Sequence, residues 1–197
     1  MSVMPDSERM RPAGPDVKLT YEDFVLFPED GKRHELIAGE HFVTPAPNMK
    51  HQAIAINLSA MIWTYLQRHP IGRVFGNPLD IVLSEFDVVE PDVLYLSNER
   101  AAAVSTPKHL RGAPELVVEI GSKSTRKRDE TIKRRLYERC GVAEYWVIDP
   151  GLDVIKVYRR VGAGYERVAE LARSLGDVLT TPLLPGLELP LATIFDV

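Results

Sequence analysis

Hydrophobic and polar positions along the chain change period several times, and each change marks an element. Between Arg33 and Ala46, RHELIAGEHFVTPA alternates on either side of Ala38-Gly39, as in a hairpin closed by a tight turn. Pro45 and Pro47 then end the second strand. From Asn48 to His69 the period lengthens: Ile54, Ile56, Leu58, Met61, Ile62, Tyr65 and Leu66 recur at helical spacing and predict one long amphipathic helix, stopped by Pro70-Ile-Gly. GRVFGNPLDIVLSE and VVEPDVLYL read as strands, Ser97 to Pro114 as a polar, Ala-rich loop, and ELVVEI as the next strand. STRKRDETIKRRLYERC predicts a helix with Ser124 or Thr125 as N-cap and Gly141 as its stop. EYWVIDP, VIKVYRR and GYERVAEL return to strand spacing, and the tail with Pro182, Pro185 and Pro190 predicts short extended pieces over the core. Near the start, Thr20 and Asp23 have the spacing of a capping box for a short helix, TYEDFVLF.

These elements predict an α/β (α+β) fold, a mixed β-sheet flanked by helices with additional hairpins. With 197 residues, 45% of them hydrophobic, the expectation is a single domain over 18–197 behind a flexible arm over 1–17, which is rich in Pro, Ser and charge and has no periodicity. No apolar run reaches the length of a membrane span and no signal-like segment opens the chain, so a soluble, cytoplasmic protein is expected. One cysteine, Cys140, excludes an internal disulfide framework and a cysteine-rich zinc site; it reads as a small apolar residue near a helix end. The net charge of -4 excludes a protein that coats nucleic acid by overall charge. Between Lys123 and Arg139, however, eight Lys/Arg stand against three Asp/Glu, a local basic run in an acidic chain.

Two of the apolar strands contain acids. In VVEPDVLYL, Glu90, Asp92, Leu94 and Leu96 share one face; in ELVVEI, Glu115, Val117 and Glu119 do the same. If the strands are neighbours, Asp92 and Glu119 meet. Carboxylates in such surroundings cost several kcal/mol unless paired or bound to a metal, and two together raise one another's pKa. A divalent cation resolves both difficulties, and oxygen donors without a His/Cys cluster suit Mg²⁺ or Mn²⁺. Pro91 interrupts strand pairing beside Asp92, where the chain can bend. The competing reading is that both acids lie at strand ends, exposed or salt-bridged. On the following helix Asp129, Lys133 and Tyr137 succeed one another at i, i+4; with Ile132 and Leu136 marking the buried side, Lys133 is expected at the boundary of core and solvent, either near the acids or as an ordinary surface pair with Asp129.

A Pro-Asp pair on one strand followed by an apolar strand ending in an acid resembles the PD-(D/E)XK nucleases. More closely, the chain is similar to the Uma-two family of restriction endonucleases, through HELIAGE, PAPNMKHQ, PLDIVLSE, VVEPDVLYL, GAPELVVEIGSKST, the D-x-x-x-K-x-x-x-Y helix and GVAEYWVIDP. That resemblance implies a restriction-endonuclease-like core, with Asp92 and Glu119 as metal ligands. It implies Lys133 as the motif lysine, supplied from the helix because Gly121 stands where the simple motif has lysine; Lys123 is the competing candidate. Glu35 matches an early glutamate that approaches the same metal or its water. His51 matches a histidine that touches phosphate or carries a proton. The chain departs from its relatives at Gly121-Ser-Lys-Ser-Thr, where they tend to have an apolar residue and Ser-Pro-Ser-Thr.

The expectation is thus a Mg²⁺- or Mn²⁺-dependent endonuclease acting on nucleic acid, DNA first, as a homodimer. The alternatives are an inactive nuclease fold that binds nucleic acid or protein, and an assembly protein that pairs through its strands and Pro-rich tail. No zinc finger, RNA-recognition signature or helix-turn-helix supplies sequence readout.

Overall fold

The computed structural model describes residues 17–44, 46–122 and 125–197. The arm expected over 1–17 lies, but for Val17, outside the described residues, as do Pro45, Lys123 and Ser124. Helix α1 (Tyr21–Phe24) carries the Thr20–Asp23 capping box. Strands β1 (Arg33–Ile37) and β2 (Glu40–Thr44) form the hairpin, turning through Ala38 and Gly39 with φ of 53° and 81°, the left-handed pair that a two-residue turn requires. Helix α2 (Met49–Arg68) is capped by the Asn48 side chain, which accepts from the His51 amide.

VVEPDVLYL is not one strand. Strand β5 (Asp87–Val89) pairs with β1 and with β4 (Ile81–Ser84), and β7 (Leu110–Arg111) completes a five-stranded sheet of order β2-β1-β5-β4-β7. Strand β6 (Val93–Ser97) belongs to a different, six-stranded sheet. That sheet contains β3 (Gly72–Gly76), β8 (Leu116–Ile120), β9 (Glu144–Asp149), β10 (Val154–Val161) and β11 (Gly164–Ala172), ordered β11-β10-β9-β8-β6-β3. Glu90, Pro91 and Asp92 form the link. A proline has no amide to give a ladder, so the chain leaves one sheet and enters the other at that point.

The centre of the six-stranded sheet, β6, β8 and β9, is buried on both faces. One face packs Val93, Tyr95, Leu116 and Val118 against Ile54, Leu58 and Ile62 of α2 and against the tail, where β12 (Val178–Leu179) and β13 (Leu189–Pro190) pair and α6 (Leu191–Ile194) closes over the core. The other face packs Leu94, Leu96, Val117 and Tyr145 against the helical segment after β8 and against side chains of the five-stranded sheet.

The helical segment runs from α4 (Arg126–Arg128) through a π-helical stretch (Asp129–Lys133) into α5 (Arg134–Cys140), which Gly141 ends at φ 82°. Two expectations change here. Lys133 is fully buried instead of lying at the boundary, and Ile132 points outward at 42% exposure. The Ser97–Pro114 stretch also contains a helix, α3 (Asn98–Val104), capped by the Ser97 hydroxyl, together with β7. Parallel β8 and β9, joined through α4 and α5, form the strand-helix-strand unit that carries the acid and the lysine.

Candidate active site

Strand β6 runs antiparallel to β8 with Val93 opposite Val118, so Asp92, one residue earlier, stands across from Glu119. Both side chains are only 2% exposed. Asp92 Oδ2 accepts from the Ile120 amide at 2.7 Å and lies 3.1 Å from His51 Nε2. Its Oδ1 accepts from Arg33 Nη1 at 2.7 Å and from Asn77 Nδ2 at 2.9 Å. Burial pushes the Asp92 carboxyl up, but the hydrogen bond from His51, the Arg33 charge and the Ile120 amide outweigh it and hold the group at about 2.

Glu119 Oε1 accepts from Lys133 Nζ at 2.8 Å and from Tyr137 Oη at 2.7 Å. Lys133 also reaches Glu35 Oε1 at 2.7 Å, so one ammonium bridges two carboxylates from the two sheets. Burial alone would lower the lysine pKa; Glu119, Glu35 and Asp129 outweigh it and raise it. Glu119 moves in the unfavourable direction. Burial pushes it up to about 8, Lys133 opposes this, and Asp92, Asp129 and Glu35 add to it. Arg128 Nη2 lies 3.5 Å from Glu35 Oε2 and donates to Thr44 Oγ1 at 2.7 Å. Asp129 is buried beside Lys133, and its pKa is raised chiefly by that burial.

Among the described residues the cluster therefore gathers four carboxyl groups, Glu35, Asp92, Glu119 and Asp129, around three permanent cations, Arg33, Arg128 and Lys133. Among the described residues, Glu35 Oε2, His51 Nδ1, Arg128 Nε and Asp129 Oδ1 are buried without a hydrogen bond. A buried cluster with more carboxyl groups than cations among the described residues to pair them, one of them with its pKa pushed up to about 8, and with unsatisfied polar atoms has the electrostatics of a site completed by something else.

The sequence-predicted residues meet unevenly. Asp92 is joined by His51, and Glu119 by Lys133, which also holds Glu35. No group of three or more His, Cys, Asp or Glu among the described residues is arranged to hold a metal ion, so Glu35, Asp92 and Glu119 are not gathered as one ligand set. Two carboxylates on neighbouring strands still suit a hard divalent cation, which commonly takes one or two carboxylates and completes its shell with water and substrate phosphate. Glu119 fits this best: only its Oε1 is engaged among the described residues, and a cation would relieve its raised pKa. Arg33 and Asn77 were not foreseen. Arg33 lies two residues before Glu35 on β1, and strand alternation places both on one face, a signal present in the sequence. Nothing in the sequence marks Asn77.

A cleft of about 850 Å³ opens onto this cluster, with Arg33, His51, Glu90 and Asp92 at one end and Ile56, Trp63 and Phe75 along its walls. Glu119 and Lys133 do not line it; Glu119 stands beside Asp92 on the neighbouring strand, and Lys133 lies against Glu119. Glu90 is half-buried beside Asp80, and burial followed by the Asp80 charge pushes it up to about 7.

Two strand-linked sheets with a buried acid-lysine cluster at their junction define a nuclease-like α/β fold. The same architecture occurs in the crystal structure of a "putative nuclease belonging to DUF820" from Anabaena variabilis, at a TM-score of 0.75 over 90% of this chain and 97% of that one. At 22% identity that likeness shows the fold alone. The family profile of Uma2, described as "putative restriction endonuclease", matches residues 21–192, and the chain belongs to this family. No curated protein matches it. Among the described residues no helix is long and apolar enough to cross a membrane.

Proposed function

We propose that the protein is a divalent-metal-dependent endonuclease that hydrolyses phosphodiester bonds of nucleic acid, DNA first, with residues 18–197 acting as one catalytic domain. The observation that carries this reading is the pairing of Asp92 with Glu119 across β6 and β8, with Lys133 buried against Glu119 and Glu35. Asp92 and Glu119 are the residues that would hold Mg²⁺ or Mn²⁺, which when bound would supply an acidified water and polarise the scissile phosphate. A phosphate entering the cleft meets Arg33 and His51 first, the groups that bind and orient it. Lys133 keeps its proton because two carboxylates hold it, and it provides fixed positive charge against the charge that develops in the transition state. Glu35 positions Lys133, and Tyr137 fixes the Glu119 rotamer through its hydroxyl. His51, with Nε2 against Asp92 and Nδ1 without a hydrogen bond among the described residues, is placed to carry a proton.

The test is cleavage of single- and double-stranded DNA and RNA with Mg²⁺ or Mn²⁺, comparing wild type with Asp92→Ala and Lys133→Ala. Loss of about 10²-fold or more in both variants is expected; undiminished cleavage by both contradicts the assignment. One observation favours the second reading, a binding module without catalysis: both Asp92 oxygens already accept two hydrogen bonds each. Under that reading wild type binds nucleic acid and cleaves none.

A further inference from the structure

Helix α2 buries Ile54, Leu58, Ile62 and Leu66 against the six-stranded sheet, yet its opposite side is not uniformly polar. Ile56 and Trp63, two turns apart on one face, are 64% and 56% exposed, and both line the cleft. Ala55 beside Ile56, and Ser59 and Ala60 between Ile56 and Trp63, also line it, side chains small enough to leave the groove open. From His51 beside Asp92 to Trp63 the helix advances roughly 18 Å, at about 1.5 Å per residue.

Cationic side chains stand at both ends of this apolar stretch. Lys32, paired with Asp30 at 2.8 Å, and Arg33, paired with Asp92 at 2.7 Å, line the acid end, where a phosphate would compete for them with those carboxylates. At the far end Arg73 of β3, exposed and without an ion pair among the described residues, shares an adjoining hollow with Trp63.

We propose that the cleft takes an unpaired nucleic-acid strand, with Trp63 stacking on a base and Lys32, Arg33 and Arg73 meeting phosphates. This deepens the nuclease reading and rests on it. In a duplex the ring faces of interior bases are covered by their neighbours, so a tryptophan on the groove wall would meet only sugar and phosphate. An unpaired base offers its ring face, and basic grooves with aromatic platforms bind single strands in this way. Cationic groups at either end of an apolar wall that carries a tryptophan suit a strand several nucleotides long with its bases unstacked.

The experiment is a fluorescence titration in chelator, without cleavage, using an unlabelled deoxythymidine oligonucleotide of about 15 nucleotides and a duplex of equal length. The chain has two tryptophans and Trp146 is fully buried, so a change in exposed emission reports Trp63. The single strand should quench that emission saturably and bind more tightly than the duplex. Trp63→Ala should weaken single-strand binding roughly tenfold or more, and Trp63→Phe should keep most of it. Because both variants lack the reporter, their affinities and that of wild type are compared by the anisotropy of the same oligonucleotide carrying a terminal fluorescein. Equal affinity for strand and duplex, with Trp63→Ala unchanged, overturns the proposal. So does a wild-type dimer that Trp63→Ala splits, by light scattering, with no change in strand affinity.

The two readings fail separately. Unchanged strand binding by Trp63→Ala alongside cleavage lost in Asp92→Ala overturns the stacking role alone. Absence of metal-dependent cleavage by wild type, with strand binding lost in Trp63→Ala, removes the nuclease assignment and leaves a strand-binding groove.

Discussion

Strands β8 and β9 lie side by side, and each buries one glutamate, Glu119 at 2% exposure and Glu144 at 1%. Glu144 is balanced. Its Oε1 accepts from Trp146 Nε1 at 2.7 Å, and its Oε2 from Arg159 Nε at 2.9 Å and Thr181 Oγ1 at 3.2 Å. Glu119 shares its lysine with Glu35 and stands among further acids. Burial of an acid is therefore no signal of chemistry by itself. The signal is burial of an acid among other acids that share its cation, so that its pKa is driven up, which a stable core has no reason to keep.

Substitution should separate the two glutamates most sharply in activity. Glu119→Gln should lower metal-dependent cleavage by about 10²-fold or more while the protein stays folded by circular dichroism. Glu144→Gln should leave cleavage per folded molecule unchanged and cost about 1–3 kcal/mol, read as a shift in denaturant midpoint, because it removes a charge-assisted bond from a buried arrangement. Equal activity loss in both variants would erase the distinction.

Acidity provides the next contrast. The folded-state pKa of Glu119, about 8, lies above the roughly 4.3 of an unfolded glutamate, so the folded state keeps a proton that the unfolded state releases between those values. Stability should fall as pH rises through that window, and Glu90 adds to the slope up to about 7. Asp92, held at about 2, acts in the opposite sense: it stabilises above roughly pH 3.9, and this is lost as pH falls toward 2. Added Mg²⁺ should therefore raise Tm more near pH 8 than near pH 5, and Glu119→Gln should flatten both the slope and the metal effect. A metal effect independent of pH contradicts this. The smallest expected change is Tyr137→Phe, which removes one hydrogen bond to Glu119 and should cost about 1 kcal/mol of stability, seen by thermal denaturation.

The sequence makes the hairpin, the long helix and the meeting of Asp92 with Glu119 legible, because each rests on periodicity that the backbone imposes. It hides what depends on other chains of contact. VVEPDVLYL reads as one strand since β5 and β6 share a period, and only the partners on either side show that Pro91 separates two sheets. The burial of Lys133 follows from acids brought by β1 and β8, which local helical spacing does not show. Ile56 fits the apolar stripe of α2 by composition, yet faces the cleft. The helix α3 had its signals in the Ser97 cap and the alanines that follow, outweighed by a polar composition that suggested a loop.

Calorimetric titration with Mn²⁺ of wild type, Glu119→Gln and Glu144→Gln tests the central claim most directly. Wild type and Glu144→Gln should bind the ion alike, and Glu119→Gln should lose it or bind at least about tenfold more weakly. Binding by Glu119→Gln equal to wild type, or none by any of the three, would contradict the account of the Asp92–Glu119 pair as a cation site.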